Sequence, residues 1–314
     1  MTKAANSNLA LLAYLAAFIG VCGHASSEFV AVLTGLHGVE VSVWRFFIGS
    51  LALIAVALMR ADTRDLLTPL RQDFWLIAAI SIGMMTAGQF IFHWSLNYAT
   101  VVQVATIVTI IPIATVFFDR VINGTPVTTS KIIAGIGAFI AIVLLMLDGR
   151  LAELAGSSAN LIGVFMAMTC AVLGGLYIVM AKPMVVKYGA IRITTLSFAL
   201  GWPVLFLVSG LFFGKWMNPA DLTRMEFVPL MAVLAIGIWN TCIGFILWLW
   251  GIGNAPDMGR ANYLFFLKPV IAALLSLLFL NQRFSWLQVC AIIAIVGFVA
   301  LEVLYQEYRA NKAS

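Results

Sequence analysis

Ten continuous apolar stretches, each long enough to cross a bilayer as a helix, leave this 314-residue chain few ways to fold. A helix needs roughly 20 apolar residues to span the hydrocarbon core. The stretches run over 9–33, 39–60, 74–96, 99–121, 131–148, 160–182, 190–213, 227–253, 257–280 and 284–307. In lipid every backbone N–H and C=O must be satisfied within the chain, so only helices and closed barrels cross. Barrel strands are short and alternate in polarity, whereas these stretches are unbroken and rich in Ala, Leu and Met. With 63% hydrophobic and 10% charged residues, there is too little polar side chain to coat a soluble globule. The expectation is an all-α membrane protein with ten transmembrane helices.

Charges between the stretches give an orientation. With a cytoplasmic N-terminus, Lys3, Arg60, Arg64, Arg71, Arg120, Lys131, Lys182, Lys187, Arg192, Arg260, Arg309 and Lys312 lie inside, against Arg150, Lys215, Arg224 and Arg283 outside. That excess of inner cations predicts that both termini are cytoplasmic. Trp44, Trp75, Trp94, Trp216, Trp286, Tyr188, Tyr305 and Tyr308 fall near stretch ends and are expected at the headgroup level. The first stretch exceeds a signal-peptide core and ends in no small-x-small site, so it is expected to stay as a helix. Val21 stands where a lipoprotein site before Cys22 would need a small residue. The net charge of +5 is scattered rather than gathered on one face, which argues against a nucleic-acid partner. Cys22, Cys170, Cys242 and Cys290 lie inside apolar stretches without metal-ligand spacing, so no disulfide, metal site or cofactor is expected.

The chain also repeats itself. Asn8-Leu9 opens the first stretch and Asn160-Leu161 the sixth, and each precedes small residues: Gly20 to Gly23 in one, Gly174-Gly175 in the other. Pro112 in the fourth stretch is echoed by Pro269 in the ninth. Two five-helix units follow, residues 1–150 and 151–314. A unit that crosses five times ends on the opposite side, so its copy runs inverted. This arrangement places a site at the midplane and supports alternating access.

Over its whole length the chain resembles the drug/metabolite transporter superfamily, in particular its EamA-type exporters. Trp44-Arg45-Phe46 looks like that family's arginine-aromatic opening of helix 2, and Leu96-Asn97-Tyr98-Ala99 leading to Ile111-Pro112 looks like its helix 3 to helix 4 passage. Asn262-Tyr263-Leu264-Phe265-Phe266-Leu267-Lys268-Pro269 repeats the motif in the second half. Asn123-Gly124-Thr125 and Asn281-Gln282-Arg283 stand where many members carry Gly-Glu-Arg, and Ile19 stands where a tryptophan is common. The resemblance implies two inverted repeats, with helices 1 to 4 and 6 to 9 around a central cavity and helices 5 and 10 peripheral.

Polar residues within the stretches are the functional candidates, because a central lysine is disfavoured by about 3 kcal/mol on insertion scales. Counting about 1.5 Å per residue from each stretch centre puts Lys268 and Asn240 near the midplane, His24 and Gln89 roughly 5 Å outward, Arg45 about 7 Å, and Glu28 and His93 about 10 Å. His24 and Glu28 are spaced i, i+4, as are Gln89 and His93, so both pairs can point at one cavity. Arg45 and Glu28 can close the outer end as an ion pair. His24 and His93 are either packing histidines or a proton relay. Lys268 has no carboxylate at its own depth, Asp119 lying far inward. It is either neutral when the cavity is empty or completed by an anionic substrate group.

Asn240 shares a face with Gly237, Gly244 and Gly251, where a neighbouring helix or a cavity comes close. Pro112 and Pro269 each free a carbonyl one turn earlier, as a passive kink or as an exposed acceptor. Trp202, Trp239, Trp248, Tyr177, Tyr263, Phe265 and Phe266 supply flat surfaces in helices 6 to 9. The substrate-binding candidates are therefore Lys268, Asn240, His24, Gln89, Tyr263, Tyr177 and Trp239, and the coupling or gating candidates Glu28, Arg45, His93, Pro112 and Pro269.

The sequence contains no Gly-x-x-x-x-Gly-Lys-Ser/Thr loop, so transport would draw on an ion, a proton or a counter-substrate. The main expectation is a secondary transporter of the bacterial inner membrane, exporting or exchanging a small carboxylated solute such as an amino acid, as a monomer or homodimer. The alternatives are an intramembrane enzyme acting on a lipid-borne group and a passive channel. No His-Glu-x-x-His or nucleophile elbow favours the enzyme.

Overall fold

The computed structural model describes residues 3–95, 97–99, 104, 107–147, 158–271, 274–275 and 285–313. The helices are α1 (Lys3–Leu33), α2 (Gly38–Met59), α3 (Leu67–Ser95), α4 (Ile111–Asn123), α5 (Thr129–Leu147), α6 (Ser158–Tyr188), α7 (Ala190–Phe213), α8 (Phe227–Asn254), α9 and α10 (Trp286–Ala313). The ninth, α9, starts as Met258–Tyr263 and tightens to a 3-10 turn over Leu264–Leu267. Among the described residues, α1, α2, α3, α6, α7 and α8 contain spans long and apolar enough to cross a membrane, α5 and α10 contain shorter apolar helices, and there is no strand. Gly189 lets α6 pass into α7 with a single residue between them, at φ +90°, a conformation open to glycine.

Two boundaries differ from the hydropathy reading for physical reasons. The third helix begins at Leu67 rather than 74, and Asp73 leaves helical geometry (φ −130°, ψ 36°), so the polar first turn is helix that hydropathy misses. Pro112 sits in the first turn of α4, not in a helix interior. Helical residues at 107–108 precede it, so it joins two helical stretches at a position where proline is well tolerated.

The main helix contacts recur when helix n is exchanged for helix n+5. The α1–α8 contact has its counterpart in α6–α3, α2–α8 in α7–α3, and α4–α6 in α9–α1; α2–α7 and α5–α10 map onto themselves. That is the contact pattern of two pseudo-symmetric five-helix halves. The matching extends to backbone winding. Both α3 and α8 change to π-helix midway, over Ala79–Thr86 and Ile238–Ile243.

Glycines set how closely the helices approach. A Cβ on Gly20 would stand 2.6–2.7 Å from backbone and Cβ atoms of Trp248, and one on Gly251 2.5 Å from backbone atoms of Ala13 and Ala17. Gly244 lies against Gly23, whereas Gly237 lies against Ile48 and Gly49 of α2. The seven-residue stripe on α8 therefore serves two neighbours. The π turn between Gly237 and Gly244 advances less per residue than an α turn and rotates the stripe from α2 to α1.

Away from the centre, Ala134, Ala138, Ala141 and Ile142 of α5 meet Ala291, Ile295 and Val299 of α10 in a separate apolar cluster that takes in Tyr263 and Phe266 of α9. Trp75 and Trp286 are more than four-fifths exposed, as interfacial anchors should be. Trp44 is 4% exposed and packs with Ile48 and Val233, so it belongs to the core and not to the headgroup belt. Its neighbours on α8 cover it.

Candidate functional site

Seven helices converge on a central cavity of about 70 Å³. His24 and Ser27 come from α1, Arg45 from α2, Met84, Met85, Gly88, Gln89 and Phe92 from α3, and Cys170, Gly174 and Tyr177 from α6. Phe245 and Trp248 of α8, Ile111 of α4, and Phe265 and Lys268 of α9 close it, with Val108 just before α4. Of the candidates named from sequence, Lys268, His24, Gln89, Arg45 and Tyr177 line this cavity together.

The two cationic side chains stand against aromatic faces. The Lys268 ammonium is 5.8 Å from the Phe92 ring centre and 5.7 Å from that of Phe265, and the Arg45 guanidinium carbon is 5.7 Å from Phe245. Cation–π contact stabilises a desolvated charge by about 1–2 kcal/mol. Arg45 is also held by donating from Nε to Thr241 Oγ1 (3.0 Å) and from Nη1 to Gln89 Oε1 (3.1 Å). His24 packs edge-on against Phe245 and Trp248, with ring centres 4.4 and 4.9 Å away. Its Nε2 is buried without a hydrogen-bond partner, as is Trp248 Nε1.

Other candidates lie elsewhere. Asn240 is fully buried outside the cavity lining, donating from Nδ2 to Gly23 O (2.5 Å) and Ser26 Oγ (2.9 Å), which clips α8 to α1. Trp239 is over one-third exposed and donates to Ser26 Oγ. Tyr263 points its hydroxyl at the Lys131 carbonyl (2.5 Å), in the α5–α10 cluster. His93 stands behind Gln89, its Nδ1 shared between Ser42 Oγ (2.5 Å) and the Gln89 carbonyl (2.9 Å). The Glu28 side chain lies outside the described residues. Pro269 directly follows Lys268, just past the 3-10 turn, at the place that Pro112 takes in the first half. Sequence reading missed Thr86, Thr241, Ser81 and Ser197, whose hydroxyls bond one another, Arg45 and Tyr177 behind the cavity lining; serine and threonine in apolar helices give no signal of their own.

At one end of the bundle α6 meets the start of α3. Lys187 Nζ lies 2.6 Å from Asp73 Oδ2, and the Tyr188 hydroxyl reaches Asp73 and Gln72. At the same end, the nearly buried Lys131 pairs with Asp257 at 2.7 Å, and Asp257 caps α9 by accepting from the Arg260 N–H. Burial pushes the Asp257 carboxyl up, but the Lys131 and Arg260 bonds outweigh it and hold the group below the usual carboxylate range.

A ten-helix membrane bundle in two similar halves, enclosing a central cavity lined by aromatic and apolar side chains with a few polar ones, is the architecture of a carrier. Comparison with known proteins agrees. The model of the EamA-like transporter family matches residues 8–147 and 161–304, once for each half, and the chain belongs to that family, within the drug/metabolite transporter superfamily. An uncharacterized transporter of Clostridium kluyveri is 25% identical over 296 residues, 91% of this chain and 88% of the relative. The uncharacterized transporter YcbK of Bacillus subtilis is 30% identical over 172 residues, 54% of this chain and 52% of YcbK. A solved crystal structure shares the fold with a TM-score of 0.79 at 21% identity, covering 95% of this chain and 97% of that one. The protein is a multi-pass membrane transporter.

Proposed function

We propose that this transporter is a secondary carrier of the bacterial inner membrane that exports or exchanges a small carboxylated solute, such as an amino acid, by alternating access. The observation that carries this reading is the meeting of Lys268, Arg45, His24 and Gln89 in one central cavity with aromatic walls. An ammonium and a guanidinium at mid-depth favour an anion, and the faces of Phe92, Phe245 and Phe265 suit an apolar body. In this reading the Lys268 ammonium binds the substrate carboxylate, and Gln89 and Tyr177 orient the solute. Both termini face the cytoplasm, which puts the Lys187–Asp73–Tyr188 cluster at the inner end.

Counterflow in proteoliposomes loaded with a labelled mixture of the twenty L-amino acids tests the reading. Trans-stimulated exchange is expected for the wild type, and Lys268→Met abolishes it while the protein still purifies folded. Lys268→Arg restores only part, because a planar fork replaces a compact ammonium. Wild-type exchange by Lys268→Met would overturn the assignment, and flux without trans-stimulation would indicate a channel.

A further inference from the structure

Resting on the carrier reading above, we infer that Arg45 and Ser197 are positioning residues that couple the cavity to two matched hinges, the π-wound turns of α3 and α8. A π turn carries an extra residue per hydrogen-bonded loop, so interconversion with α winding rotates one half of a helix against the other. The backbone bonds exchange partners but stay made, the condition for a hinge inside hydrocarbon. Four observations single out these two turns.

Each turn holds a threonine that donates to the carbonyl five residues back: Thr86 to Ser81 O (2.7 Å) and Thr241 to Ile236 O (2.8 Å). Each threonine abuts a glycine of the helix that crosses it. A Cβ on Gly49 of α2 would stand 2.6 Å from Thr241 Cγ2, and one on Gly201 of α7 would collide with Thr86 Oγ1. Gly49 and Gly201 are equivalent positions, 152 residues apart.

Four residues before each glycine, at the same spacing of 152, stand Arg45 and Ser197. Each is bonded to the π turn beside it. Arg45 Nε donates to Thr241, and Ser81 Oγ, in the turn of α3, lies 3.4 Å from Ser197 Oγ. Each is also bonded to a cavity-lining side chain: Arg45 to Gln89, and Ser197 to the Tyr177 hydroxyl at 3.3 Å.

Cavity side chain, α2 or α7 side chain and π turn thus form two matched paths, each running from a cavity residue of one half to the hinge of the other. The halves differ in the middle member. A guanidinium serves the turn of α8 and a hydroxyl that of α3. An anionic solute drawing on Arg45 therefore acts on the α8 hinge through charge, while the α3 hinge responds through the neutral Tyr177–Ser197 link.

Hydrogen–deuterium exchange of the full-length protein in lipid nanodiscs tests the hinges without a ligand. Thr241→Val removes both the carbonyl cap and the acceptor for Arg45, and should change exchange about threefold or more over residues 236–246 while the α3 turn stays as in the wild type. Thr86→Val should do the converse, and Thr241→Ser should behave as the wild type. Arg45→Lys keeps the charge but cannot hold Thr241 and Gln89 together, and should reproduce Thr241→Val. The double variant should be no worse than either single one. In the proteoliposome assay with the labelled L-amino acids, Thr241→Val and Arg45→Lys should each slow exchange about tenfold, about 1.4 kcal/mol.

Unchanged deuterium uptake at both turns in the valine variants would overturn the inference, as would additive effects of Arg45→Lys and Thr241→Val. Wild-type flux in Thr241→Val would also overturn it. If the wild type itself carries no amino acid, the substrate reading fails while the deuterium arm still decides the hinges.

Discussion

Gly20 shows how little room single positions leave. Alanine there would place a methyl 2.6–2.7 Å from Trp248 Cβ and backbone, which cannot rotate aside, so α1 and α8 would have to separate. Gly20→Ala should lower the apparent melting temperature in detergent by an amount matching about 1–3 kcal/mol of overpacking. A methyl on Gly297 of α10 would meet nothing within 4 Å, and Gly297→Ala should leave that temperature unchanged or raise it. The same scale explains which site residues could be read from sequence. Lys268, Arg45, His24 and Gln89 announce themselves because polar groups at mid-depth are costly and therefore rare. Asn240 and His93 are polar too, but Asn240 donates to Gly23 and Ser26 and His93 bonds Ser42, so neither side chain reaches the cavity. Depth alone does not separate a group facing a cavity from one facing a neighbouring helix. Thr86 and Thr241 leave no trace, since a hydroxyl satisfied by its own helix is ordinary in a membrane span.

Among elements, the α8–α9 turn joins a cap and an ion pair at one carboxylate. Asp257 accepts from the Arg260 N–H at 3.0 Å and from the Lys131 ammonium at 2.7 Å. Because these bonds depress its folded-state pKa, its contribution to stability is complete above the unfolded value near 4 and is lost as pH falls through the lower folded value. Melting temperatures measured from about pH 6 down to about pH 3 should therefore fall in the wild type. Asp257→Asn should start lower and fall less over that range; an identical slope in the two proteins would remove Asp257 from the account. Helix 7 runs over 190–213 in both sequence and structure because its apolar run is bounded by glycines at both ends. The π turns were not legible, because Ala79–Thr86 and Ile238–Ile243 have the same composition as the α segments around them and differ only in winding.

For the whole molecule, a two-repeat organisation was legible from the echoed Asn-Leu and proline positions, and the family model that matches once in each half bears it out. Which helices would meet was not legible, since lipid-facing and buried faces of a membrane helix are equally apolar. The final helix of each half leaves the cavity to its neighbours and instead clasps its opposite number, with the ring of Phe298 lying where Gly137 has no side chain. Each half therefore ends in a surface that the other half covers in large part. Cut between Leu147 and Ser158 and co-expressed as fragments, the two pieces should find one another in the bilayer and co-purify through a tag on either one. Gly137→Leu, which crowds Phe298, should weaken that reunion. Seen this way, the α5–α10 clasp is the seam of an antiparallel dimer preserved within a single polypeptide.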